Sequence, residues 1–124
     1  MKAGLPIAVA VLGLASPALS QSSDFNLTYH VERASAAKLS LASCGNAVVQ
    51  IARQSKLSVD SQSFPGQLVM VKGGRAGAGT FVVQCIAVGN VTVSVVQGID
   101  YRTQKGALGQ FADRAFAAVK AAIK

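Results

Sequence analysis

The segment from Thr80 to Val88 constrains the fold most, because an extended chain would carry apolar side chains on both of its sides here. Phe81, Val83, Cys85 and Ala87 alternate with Val82, Ile86 and Val88. A strand of this kind is typically central in a sheet and covered on both faces. Gly89-Asn90 predicts a tight hairpin, and Val91 to Gln97 returns as the partner strand.

The rest of the pattern supplies the other elements. Alternation from Phe25 to Arg33 predicts a half-buried strand, and apolar residues at helical spacing from Ala34 to Lys56 predict an amphipathic helix. Further strands are expected at 57–64 and 67–72, and a last helix follows Gly106 and ends near Ile123. The order is β-α-β-β-β-β-α, and its short connections favour antiparallel pairing. We therefore predict an α+β two-layer sandwich, an antiparallel sheet of about five strands with two helices on one face.

The first twenty residues have the three parts of a secretory signal peptide. Lys2 gives a short basic region, an apolar run extends from Ala3 to Leu14, and Ala18 and Ser20 place small side chains before Gln21. The apolar run is shorter than the roughly 20 residues that a membrane-spanning helix needs. We predict a signal peptide at 1–20, a single α+β domain at 21–124, and a periplasmic or secreted product without a membrane span.

The two cysteines, Cys44 and Cys85, are predicted to form a disulfide, because an even count in an oxidising compartment implies pairing. Cys44 lies on the apolar stripe of the first predicted helix, and Cys85 lies on the predicted central strand. Their pairing would join the helix layer to the sheet. Neither residue has a CxxC partner, so a structural bond is favoured over a redox or nucleophilic cysteine.

The predicted mature chain is basic, but its charges are dispersed. Of the 12 Lys and Arg residues only Lys2 precedes Gln21, so 11 basic and 5 acidic residues leave a net charge of +6. Nucleic-acid binders typically show a basic run with interleaved aromatic residues, and this chain has none. We expect a soluble cationic surface, with anionic partners as the alternative and nucleic acid disfavoured.

The apolar central strand has a consequence for the sheet face that the helices leave open. If Phe81, Val83 and Cys85 face the helices, the outer face carries an apolar strip of Val82, Ile86 and Val88. We expect this strip to lie beside the polar His30 and Glu32. Exposed apolar surface on a small protein marks a contact site, for a homodimer, a partner protein or an apolar ligand.

His30 and Glu32 are the residues around which chemistry could be built. They share one side of the first predicted strand, where they could meet one metal ion or one proton. A metal site needs three or four such ligands, and only Asp24 and Asp60 are near candidates. No nucleophile elbow is present. We therefore predict no metal and no cofactor, and leave enzymatic activity open with a non-enzymatic role favoured.

Two polar segments are candidate binding loops. Lys72 and Arg75 flank the glycine-rich stretch Gly73–Gly79, which could cradle an anion but reads better as a hairpin connection. The stretch from Asp100 to Gly106 offers Tyr101, Arg102 and Lys105 ahead of the last helix. Binding residues concentrate in such loops, although helix capping and turn formation are the favoured roles here.

The chain also resembles a family of small exported bacterial proteins with no assigned function. The likeness covers nearly all of the predicted mature chain. It implies a bacterial periplasm and no activity. The segments that carry it are Tyr29-His30-Val31-Glu32-Arg33, the pair Cys44 and Cys85, Gly73-Gly74-Arg75, and Gln97-Gly98-Ile99-Asp100-Tyr101-Arg102.

The leading functional hypothesis is therefore a non-enzymatic exported binding or interaction module that uses the open sheet face, with dimerisation among its options. One alternative is a small hydrolase or metal-assisted enzyme using His30 and Glu32, with Arg75 or Arg102 holding an anionic substrate. The other is a structural component of the cell envelope.

Overall fold

The computed structural model describes residues 24–124. The predicted signal peptide and its cleavage before Gln21 lie outside the described residues. Neither helix within residues 24–124 is long and apolar enough to cross a bilayer. The elements are β1 Asn26–Ser35, α1 Leu41–Gln54, β2 Ser58–Phe64, β3 Leu68–Arg75, β4 Gly79–Val88, β5 Val91–Asp100 and α2 Ala107–Ala121.

The strands form one antiparallel sheet in the order β1-β5-β4-β3-β2, with both helices packed on one face. The predicted α+β architecture and its element order are confirmed. The doubly apolar strand β4 lies at the centre, as its pattern predicts. Only one of its faces is covered by the helices.

The core lies between this covered face and the helices. The rings of Phe81 on β4 and Phe111 on α2 meet at its centre, with centroids 4.6 Å apart. The predicted disulfide is confirmed: Cys44 of α1 is bonded to Cys85 of β4, and their Cα atoms are 6.2 Å apart. Both cysteines are fully buried, so the bond ties helix to sheet inside the core.

Helix α1 begins later than its sequence pattern predicts. The expected start at Ala34 is wrong, because β1 continues to Ser35, which pairs with Val91. The helix instead begins after Ser40, whose hydroxyl accepts a hydrogen bond from the backbone N–H of Ser43 at 3.0 Å. A serine at this position satisfies one of the free N–H groups of the first turn.

Helix α2 packs closely on the sheet because a glycine lies on each side of the contact. A Cβ on Gly98 of β5 would overlap the carbonyl oxygen of Leu108. A Cβ on Gly109 of α2 would lie 2.6 Å from the hydroxyl of Thr28. Any larger residue at either position would push the helix outward.

Candidate functional site

The sheet face opposite the helices, here called the open face, is the largest candidate site. Successive strand residues point to opposite faces, so every second residue of each strand belongs to it. Register places these side chains in continuous rows across the five strands. Its apolar members are Leu27, Tyr29, Val31, Phe64, Leu68, Met70, Val82, Ile86, Val88, Val91, Val93, Val95 and Ile99, and its polar members are Arg33, Ser35, Ser58, Asp60, Gln62, Lys72, Thr80, Gln84 and Gln97.

In β1 and β5 the more apolar side of the strand faces away from the helices. Leu27, Tyr29 and Val31 of β1 are 46%, 64% and 51% exposed. The covered side of β5 instead carries the core residue Val96 and the small or polar residues Thr92, Ser94, Gly98 and Asp100. Antiparallel sheets normally place apolar residues toward the core and polar residues toward water. This half of the sheet has the reverse arrangement.

The small and polar residues on the covered side of β5 are satisfied within the protein. The hydroxyl of Thr92 donates to the carbonyl oxygen of Leu39 at 2.7 Å, and the Ser94 hydroxyl lies 3.2 Å from the Cys44 sulfur. Within residues 24–124, every buried side-chain nitrogen or oxygen has a hydrogen-bond partner. The reversed arrangement therefore leaves no described polar side chain buried beneath the helices without a hydrogen-bond partner.

The expectation that His30 and Glu32 lie on the open face is wrong. Both point to the covered side, at the margin of the sheet where β1 is an edge strand. The imidazole of His30 stacks on the ring of Phe116, with centroids 4.4 Å apart, and its Nε2 lies 2.8 Å from Oδ1 of Asp113. Contacts with α2 therefore decide the orientation of β1, against its apolar periodicity.

Asp113 joins His30 to Lys105 in a small ionic cluster at the edge of α2. The Lys105 ammonium donates to Oδ2 of Asp113 at 2.6 Å. This hydrogen bond, and next the one with His30, lower the pKa of Asp113 below its ordinary value of 3.8. The side chains of Asp113 and Lys105 are each 44% exposed, so the cluster sits at the surface where solvent screens it.

A shallow cleft of about 500 Å³ at one corner of the open face gathers three of the predicted binding residues, Lys72, Arg75 and Tyr101. The Arg75 guanidinium also donates to the carbonyl oxygen of Ser55 at 3.2 Å. The glycine-rich stretch beside it forms the end of β3, the turn and the start of β4, as a hairpin connection does. Asp60 also lines the cleft, and this carboxylate offsets part of its positive charge.

The polar stretch that begins at Asp100 serves mainly to start α2. The buried Asp100 carboxylate accepts hydrogen bonds from the backbone N–H groups of Gly106, Leu108 and Gly109, at 2.7, 2.9 and 3.0 Å. The Arg102 guanidinium donates to the side chain of the exposed Gln104 at 3.1 Å. Capping is therefore the observed role of Asp100.

A protein-family profile for a family of unknown function, DUF6180, matches residues 24–124. The chain belongs to this family. A search of curated proteins found no significant match. The predicted membership of a family without an assigned activity is confirmed.

In this DUF6180 chain the predicted site residues do not converge on one place. His30 and Lys105 meet at Asp113, whereas Lys72, Arg75 and Tyr101 line the corner cleft. No group of three or more His, Cys, Asp or Glu residues within 24–124 is arranged to hold a metal ion. Val82, Ile86 and Val88 of β4 lie on the open face.

The apolar surface of the DUF6180 chain extends further than its sequence pattern predicts. The predicted apolar strip comprises residues of β4 alone, whereas β1 contributes Leu27, Tyr29 and Val31 and β5 contributes four more apolar residues. The alternation of β1 gave the right grouping of side chains but not the direction in which each group points. The small residues at every second position of β5 were the available signal.

Proposed function

We propose that this protein is an exported, non-enzymatic interaction module whose contact surface is the open face. The observation that carries the proposal is the reversed arrangement of β1 and β5. Both strands direct most of their larger apolar side chains to the uncovered side, and apart from the core residue Val96 they keep small or polar ones beneath the helices. Covering the open face would remove these apolar side chains from water, which is favourable.

The extent of the open face supports the proposal. The strands contain 10, 7, 8, 10 and 10 residues. At about 3.4 Å per residue and about 4.8 Å between strands, they span a flat area of about 700 Å². This area includes the polar side chains of the face, and apolar side chains make up the larger share of it. Large apolar patches on the surface of a small protein mark interaction sites. The partner classes are a second copy of this chain, another protein and an apolar ligand.

Export fits the same proposal. A disulfide between Cys44 and Cys85 is the kind of bond that persists in oxidising compartments. The apolar run before Gln21 has the parts of a signal peptide. An exported protein with this face would meet its partner in the periplasm or outside the cell.

A hydrolase built on His30 and Glu32 has less support. His30 is engaged by Asp113 and stacked on Phe116, in a surface cluster whose other member is the Lys105 ammonium. A base oriented by a carboxylate requires a nucleophile or a bound water within hydrogen-bond reach. The hydrogen bonds of His30 lead to Asp113 alone among the described residues.

Photo-crosslinking in the living host tests the proposal. A photoreactive amino acid at Ile86, on the open face, should give one discrete adduct on irradiation. The matched control carries the same amino acid at Arg114, which is exposed on α2, and should give none. Adding Val82→Glu to the Ile86 variant should abolish the adduct, because a carboxylate on the same face of β4 disrupts an apolar contact.

The chain recovered from these cells must retain its disulfide, which intact mass shows. Adducts of equal yield from Ile86 and Arg114, or an Ile86 adduct that survives Val82→Glu, would contradict the open face as the contact surface. The mass of the adduct identifies the partner class as a second copy, another protein or a lipid.

A further inference from the structure

Gln84 occupies the geometric centre of the open face. It is the middle open-face residue of β4, and β4 is the third of five strands. Its register neighbours are Val95 on β5 and Met70 on β3, and Val82 and Ile86 precede and follow it on the same side of β4. One amide is therefore surrounded on all four sides by apolar side chains.

Two of the three charged residues of the open face, Arg33 and Asp60, belong to the edge strands β1 and β2. The third, Lys72, lies on β3 opposite Val82 and diagonally from Gln84, and its register partner on the other side is Asp60. A largely apolar centre with most charges at the rim is the usual composition of a protein–protein interface. The flat area of about 700 Å² is also close to the roughly 800 Å² per partner that a standard interface buries.

We infer that the open face is covered by a second copy of this chain, packed face to face about a two-fold axis that passes beside Gln84. The inference rests on the proposed function and names the partner. A residue on a two-fold axis meets its own copy. The glutamine amide has both N–H donors and a carbonyl acceptor, so two copies can each donate one hydrogen bond and accept one.

The amide at the centre distinguishes this partner from a lipid. An acyl chain lying on the open face would cover Gln84 without offering a hydrogen bond, and an unpaired buried amide costs free energy. A second Gln84 satisfies the amide and also fixes the register of the two sheets, as a single buried polar residue does in coiled coils. Sheets packed in this way lie about 10 Å apart.

Two variants that carry opposite charges at position 84 test the proposed two-fold axis directly. The purified, oxidised mature chain should sediment as a dimer. Gln84→Glu and Gln84→Lys should each weaken association by at least about a hundredfold, because each places two like charges together in an apolar interface. An equimolar mixture of the two variants should restore a dimer that contains one chain of each kind. Sedimentation equilibrium and native mass spectrometry provide the measurement.

Arg114→Glu on α2 is the control for charge change away from the face, and it should sediment as the unchanged chain does. Circular dichroism establishes that each variant is folded. A mixture that stays monomeric, or single variants that remain dimeric, would overturn the axis at Gln84. A monomeric unchanged chain over the whole concentration range would overturn the second copy as partner. In that case an adduct from Ile86 to a different molecule would still uphold the proposed function, and its absence would sink both.

Discussion

Asp100 is the side chain on which the start of α2 depends. Gly106 precedes the helix and offers no side-chain cap, and the first turn contains no acidic residue. The carboxylate of Asp100 reaches these N–H groups from the end of β5 and is itself only 1% exposed. A buried anion at a helix N-terminus is stabilised both by hydrogen bonds and by the helix dipole.

Asp100→Asn should therefore destabilise the fold by about 2–3 kcal/mol, since the amide replaces one acceptor oxygen by an NH2 group that faces at least one backbone donor. Urea unfolding of the oxidised protein, followed by circular dichroism at one fixed protein concentration, measures the change. Asp24→Asn, an exposed acid before β1, is the control and should shift stability by less than about 0.5 kcal/mol. Equal effects of the two substitutions would rule out the capping role.

Asp113 makes a smaller contribution that depends on pH. Its folded pKa is lowered, first by the hydrogen bond from Lys105 and next by His30. A lowered pKa contributes stability above the unfolded value, and that contribution is lost as pH falls through the folded pKa. Because the carboxylate is 44% exposed, we expect less than about 1 kcal/mol.

The stability difference between the unchanged chain and Asp113→Asn should be small and favourable at neutral pH and should decline below the ordinary pKa of 3.8. Urea unfolding of both proteins at a series of pH values gives this difference. A difference that grows as the solution is acidified would show that the ionic cluster does not act through Asp113.

At the scale of elements, sequence periodicity correctly predicted which segments form helices and strands and the order in which they follow one another. The expected boundaries depended on local signals such as the hairpin turn at Gly89-Asn90, which forms independently of distant contacts. The start of α1 was misplaced because the pairing of Ser35 with Val91, 56 residues away, extends β1 beyond its local pattern. Alternation alone also cannot say which side of an edge strand faces a helix. His30 is held by Asp113 and Phe116 of α2, contacts that no local pattern encodes.

The disulfide is the covalent link between the two layers. It joins α1 to β4 across a sequence separation of 41 residues. Closing a loop of that length restricts the unfolded chain by about 4 kcal/mol in the chain-entropy model. Urea unfolding with and without reductant should show a loss of this size, whereas a Cys44→Ala/Cys85→Ala variant should not respond to reductant. Coincident unfolding curves for the oxidised and reduced chain would contradict this account.

At the scale of the whole molecule, the covered face and the open face of the sheet differ in composition, and each difference accounts for the other. The helices cover one face and bury the disulfide, the Phe81–Phe111 contact and the capping carboxylate there. The opposite face then retains the apolar side chains of all five strands with a single amide at its centre. The sequence indicated this through β4, whose pattern is typical of a strand covered on both faces, but the contribution of β1 became visible only once its orientation was known.

The most direct measurement is the adduct yield across a set of photoreactive positions on the two layers. Probes at Val31 and Ile86, on different strands of the open face, should give the same adduct in living cells. Probes at Arg114 and Ala117, both exposed on α2, should give none. This result would establish the open face as the surface that the partner covers. Adducts from the helix positions, with none from Val31 and Ile86, would contradict the account.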